Sequence, residues 1–107
     1  MLDDMAIDLH KTAVVKGFWP EVENVDDIFI AKQMMMIVSE VVEAMEAVRK
    51  EKGEEEISKE FADIIIRTLD LYAGMVEAGY TKLSLDDILN EKAKFNQTRE
   101  ERHGVKF

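Results

Sequence analysis

Two short acidic motifs, Glu40-Val-Val-Glu43 and Glu60-Phe-Ala-Asp63, are the residues of this chain best suited to chemistry. Carboxylates three positions apart share one face of a helix. If the two helices bring their pairs together, four hard oxygen donors converge. That donor set suits magnesium, with manganese as the alternative, better than zinc or iron. A cation held there would act on phosphate chains by neutralising their oxygens. Competing chemistries have weaker starting points. Neither histidine, His10 or His103, sits in the Glu-x-x-His spacing of a di-iron bundle. There is no cysteine, no glycine-rich phosphate loop and no serine or threonine in a triad context.

The two pairs are not equal evidence. Glu40 and Glu43 lie roughly opposite an apolar stripe of Met34, Val38, Val41 and Met45, so an ordinary water-facing helix side also explains them. Glu60 and Asp63 begin a helix that reads FADIIIRTLDLYAGMV from Phe61 to Val76. On it Glu60, Asp63, Arg67 and Asp70 cluster, flanked by Ile64 and Leu71, with Phe61, Ile65, Leu69, Tyr72 and Val76 on the other side. A helix apolar nearly all round is buried, in its own chain or against a partner, and charges on it are costly unless paired or metal-bound. Arg67, four residues from Asp63 and three from Asp70, offers a purely structural ion-pair network as the alternative.

Four helices must position these groups. The first spans about residues 2–16, with Leu2, Met5, Ala6, Leu9, Ala13 and Val14 at helical spacing and Gly17 ending it. An aromatic loop, Phe18-Trp19-Pro20, follows. Asn24 or Asp26 caps a second helix over about 26–51, stopped by Gly53. A third runs over about 55–77, its first turn enriched in glutamate and Gly79 beyond its end. Ser84, with Asp87 three residues on, caps a fourth over about 85–101. With no strand pattern and short connections, the expected fold is all-α: one domain over 1–107, an antiparallel four-helix bundle. The third helix needs more cover than three others supply, so a homo-oligomer is expected, most simply a dimer, with a tetramer also compatible. The Met34-Met35-Met36 run fits either an interface or plain core packing.

A length of 107 residues suits a single domain, and no apolar run approaches a membrane span. The net charge of −9 argues against a nucleic-acid polymer as partner. Without cysteine or a signal-peptide start, the expected location is the cytoplasm. The charge is uneven: residues 92–107 carry Lys92, Lys94, Arg99, Arg102 and Lys106 against only Glu100 and Glu101, and Lys92, Asn96, Arg99, His103 and Lys106 recur every three to four residues. That face could hold an anion, or it could simply complement the negative end of the helix dipole. Trp19 could stack on a base; a tryptophan plugging the end of a bundle is the plainer alternative.

Taken in order, these pieces resemble the MazG-like, all-α nucleoside triphosphate pyrophosphohydrolases over nearly the whole chain. The resemblance rests on His10 through Lys16-Gly17-Phe18-Trp19, on Ser39-Glu40-x-x-Glu43, on Glu60-x-x-Asp63 with Arg67 and Asp70, and on Lys92-x-x-x-Asn96-x-x-Arg99-x-x-x-His103-Gly104-x-Lys106-Phe107. The family usually carries Glu-Glu-x-x-Glu on the second helix. Here Ser39 stands where its first glutamate would be, so position 39 supplies no carboxylate. In the tail, Glu100 stands where the family often has proline after the arginine. The resemblance implies hydrolysis between the α and β phosphates of a nucleoside triphosphate. Glu40, Glu43, Glu60 and Asp63 would be the magnesium-holding, catalytic carboxylates, with Glu43 orienting water. Lys92, Asn96, Arg99 and Lys106 would steady the phosphates, from the same or a neighbouring subunit, and Trp19 and His10 would lie near the base. A non-catalytic dimerisation or nucleotide-sensing module of the same fold is the alternative, motivated by Ser39.

Overall fold

The structure is a computed structural model, and it describes residues 1–99. Among these it contains four α-helices, α1 (Leu2–Val15), α2 (Asp27–Arg49), α3 (Glu54–Glu77) and α4 (Leu85–Thr98), one short 3-10 turn (Val22–Asn24) and no strand. None of the helices is long and apolar enough to cross a membrane.

Local chemistry sets the ends. Asp26 caps α2 by accepting from the Phe29 N–H at 2.8 Å, and Ser84 caps α4 by accepting from the Asp87 N–H at 3.2 Å, as side chains at this position do. α1 closes with a paired bond set at its C-terminus: Phe18 N–H to Ala13 O and Gly17 N–H to Val14 O, both 3.0 Å. The motif needs a left-handed residue, and Gly17 supplies it at φ +83°. α4 is shorter than expected: Arg99 is already extended, so the helix stops at Thr98.

α3 is the central helix, with α2 on one side and α1 on the other, both antiparallel to it; α4 meets α1. A small core of Ala6, Leu69 and Ala73 is surrounded by Leu2, Leu9 and Leu85. The α1 and α4 N-termini cap each other. Asp86 accepts from the backbone N–H of Leu2 at 2.9 Å and of Asp3 at 3.1 Å. Asp3 in turn accepts from the Leu85 N–H at 2.8 Å and from the Ser84 hydroxyl. Each carboxylate thus sits on the positive end of the other helix. Beyond this joint α4 stands away from the core, with no buried residue, so the four helices do not close round one centre within a chain.

The apolar stripe of α2 does not face α3: Val41 is 47% exposed, Met45 60%, and Met34, Val38 and Val48 are similarly open. The buried residues of α2 are Ile30, Glu40, Ala44 and Ala47, roughly a quarter turn away. The alanines let the helix backbones approach, and the inward-facing Glu40 pairs with Arg67 on α3. The third helix is likewise open on one side, with Phe61, Ile65 and Ile66 exposed.

Candidate metal centre

Glu40 from α2 meets Glu60 and Asp63 from α3, each offering an oxygen, all within 4.8 Å of one another. The α2–α3 hairpin produces this juxtaposition: antiparallel helices place the second half of α2 beside the first half of α3. Glu40 is 8% exposed, while Glu60 is half-buried and Asp63 faces solvent. Around magnesium, ligand oxygens 2.0–2.1 Å from the ion lie at most roughly 4.2 Å apart. Neighbouring ligands on such an ion lie about 2.9 Å apart, so the three carboxylates would draw together by side-chain rotation to share a cation.

One atom argues that the cluster is incomplete on its own. Glu60 Oε2 is buried without a hydrogen-bond partner among the described residues. A buried unpaired carboxylate oxygen is costly, and here it sits near two further carboxylates of the same sign. A divalent cation removes both costs, so the residues present fit one.

Arg67 supplies part of the missing positive charge. Its Nε donates to Glu40 Oε1 at 2.7 Å. The ion-pair alternative with Asp63 and Asp70 is not what forms among the described residues: Arg67 reaches across to α2. Removing it would leave the buried Glu40 without its charge partner, which is destabilising.

Glu43 lies beside the cluster but outside the three-oxygen group, and it is exposed. Its carboxyl is pushed up, first by a proton shared with Glu40, then by the Glu40 charge, by burial and by the charges of Glu60 and Asp63. Of the four expected carboxylates, three converge and the fourth is their neighbour.

His10 and Trp19 come together elsewhere. His10, 4% exposed, has Nδ1 2.8 Å from Asp70 Oδ1 and Nε2 3.0 Å from Glu77 Oε2. Both contacts become hydrogen bonds at once when both ring nitrogens carry protons. The Trp19 indole N–H donates to Asp70 at 3.0 and 3.2 Å. Its ring lies edge-on to His10 with centroids 4.6 Å apart and near Phe29 at 5.1 Å. The six-membered ring rests on Gly74, where a Cβ would overlap it. This packing ties the 18–25 connection to α3. Asp70 belongs to this network and not to the acidic cluster.

Neither Gly74 nor Glu77 stood out in the sequence. A glycine inside a helix costs about 1 kcal/mol against alanine, so Gly74 was a signal of close approach. Glu77 lies two turns from Asp70 on the same face, as two groups gripping one histidine must.

Lys92 and Asn96 share one face of α4, and Arg99 follows just beyond its end. All three are exposed, with Lys92 and Arg99 over the Phe95 ring at 5.6 and 5.5 Å. They do not line the cleft beside the carboxylates, which measures about 380 Å³. Lys106 and His103 lie outside the described residues. Compared with models of known families, with curated proteins and with solved structures, the chain finds no match.

Proposed function

We propose that the chain is a magnesium-dependent nucleoside triphosphate pyrophosphohydrolase working as a homo-oligomer, most simply a dimer. The observation that carries the reading is the three-carboxylate cluster with its unpaired buried Glu60 oxygen. The MazG-like resemblance supports it and supplies the reaction class. Water adds to the α-phosphorus, the bond from that phosphorus to the α–β bridging oxygen breaks, and pyrophosphate leaves. The nucleoside monophosphate keeps the water oxygen, and one proton is released.

Glu40, Glu60 and Asp63 would hold the cation; magnesium there, or manganese in its place, supplies charge neutralisation at the phosphates and a more acidic water. Glu43, next to Glu40, orients that water and takes its proton. Arg67 holds Glu40 in place. Lys92, Asn96 and Arg99 stand away from the cluster of their own chain, so they reach phosphate from a second copy. A second copy would also cover the open methionine–valine stripe of α2.

The test is a panel of canonical and modified nucleoside triphosphates with magnesium, with pyrophosphate and monophosphate both identified. The expected result is stoichiometric release of the two products from at least one nucleotide, lost in Glu60→Gln and Asp63→Asn. A folded protein that releases pyrophosphate from none of them would favour the non-catalytic module.

A further inference from the structure

The cleft beside the acidic cluster carries positive charge and an aromatic ring from a segment that the carboxylates do not explain. Its walls include Lys16 and Phe18 from the end of α1, facing Glu40, Asp63, Arg67 and Asp70. A volume of about 380 Å³ falls in the range of small-ligand sites. Lys16 and Phe18 flank Gly17, and the C-terminal bond pair of α1 fixes their backbone. The chain turn sends adjacent aromatics apart: Phe18 lines this cleft, while Trp19 goes under to Gly74 and Asp70.

The charges sort in a telling way. Asp70 is already taken by His10 and Trp19, and Glu40 by the Arg67 Nε. Among the described residues Lys16 has no acidic partner, and neither terminal nitrogen of Arg67 has an acceptor. Phe18 is 69% exposed, a large apolar ring left beside a charged cleft. The Trp19 indole N–H and one ring surface, by contrast, are engaged.

We propose that this cleft holds the nucleotide, with Lys16 and Arg67 of the same chain on the phosphate oxygens and Phe18, in place of Trp19, as the platform for the base. The proposal rests on the hydrolase reading for its substrate class and deepens it. Only a ligand with a cation-chelating anionic chain and a flat ring uses all three features together. Loss of a base–aromatic stack weakens binding roughly five- to a hundredfold, and loss of a charged hydrogen bond about ten- to a hundredfold.

Binding is read by calorimetry with magnesium and two probes: an α,β-methylene nucleoside triphosphate, which resists cleavage, and inorganic triphosphate, which has no base. Phe18→Ala and Phe18→Leu should weaken the nucleotide analogue at least about fivefold and leave inorganic triphosphate within about twofold. Lys16→Ala should weaken both probes by about tenfold or more. Phe18→Tyr should restore the analogue. Both side chains are exposed, so the variants are expected to keep the parent circular dichroism, and the magnesium-dependent rise in melting temperature without nucleotide should not move. Parent-like affinity in the Phe18 and Lys16 variants overturns the proposal even if hydrolysis is real. Analogue binding without pyrophosphate release from any cleavable nucleotide overturns the hydrolase reading and leaves the cleft standing. A parent protein that binds neither probe overturns both.

Discussion

Gly74→Ala sets two effects of known sign against each other. Alanine is the better helix residue by about 1 kcal/mol, so on propensity alone the variant is more stable. The structure opposes this. A Cβ at residue 74 would lie 2.5 Å from Trp19 Cζ3, 2.6 Å from Cζ2 and nearer still to Cη2. Carbon atoms settle at about 3.5–4.0 Å, so the indole must withdraw from α3 by about 1.5 Å. Its N–H bonds to Asp70, now 3.0 and 3.2 Å, would then exceed hydrogen-bonding distance. Overpacking of this kind costs about 1–3 kcal/mol, and a hydrogen bond to a charged group is worth about 1.5–3 kcal/mol. After the propensity gain the expected net loss is about 2–5 kcal/mol. Trp19 is the only tryptophan, so its emission reports the withdrawal directly during urea unfolding at one fixed protein concentration. The reasoning also predicts a change of sign: with Trp19→Leu in place, Gly74→Ala should become neutral or stabilising by circular dichroism. Parent-like emission and stability in Gly74→Ala, or an equal loss in the Trp19→Leu background, would refute it.

Three further outcomes are expected. Glu60→Gln should raise stability without metal, because it removes one of several crowded negative charges. It should also abolish the magnesium-dependent rise in melting temperature, which for the parent at a hundred times Kd is worth about 2.7 kcal/mol; a magnesium response equal to the parent's would remove Glu60 from the site. Asp86 is held well below the usual carboxylate range, first by the N-terminal amine and then by the Asp3 and Leu2 N–H groups. Its stabilising effect is therefore complete above its unfolded value of about 3.9 and fades as pH falls through the lower folded value. The stability gap between parent and Asp86→Asn should hold steady at neutral pH and shrink in strong acid, and a gap that widens on acidification would contradict the cross-capping of α1 and α4. Met45→Lys on a solvent-facing position should shift stability by no more than about 0.5 kcal/mol, whereas at an interface between copies it should give monomers by sedimentation; a parent already monomeric at working concentration would remove that interface.

Much of this molecule is written locally. The caps at Asp26 and Ser84 and the left-handed turn at Gly17 act within four or five residues of chain, and so helix positions can be read directly. The pairing of Glu60 with Asp63 is equally local, since positions three apart on any helix are neighbours. The end of α4 was less legible: nothing in Asn96–Glu101 marks a stop as a glycine would.

By itself, then, the sequence determined the helices, their order and which residues share a face of each. Rotation of one helix against another lay beyond it. The α2 stripe with the greatest apolar content faces outward, and the face with Glu40, Ala44 and Ala47 meets α3. Helical period fixes angles within a helix but leaves its rotation about its own axis to its neighbours. Close approach at small residues and the pull of Arg67 on Glu40 settled that rotation. Tertiary structure also decided which of two adjacent aromatics, Phe18 or Trp19, borders the carboxylates, and which carboxylate Arg67 holds. Each of those outcomes depends on a contact between residues tens of positions apart, where no local preference operates.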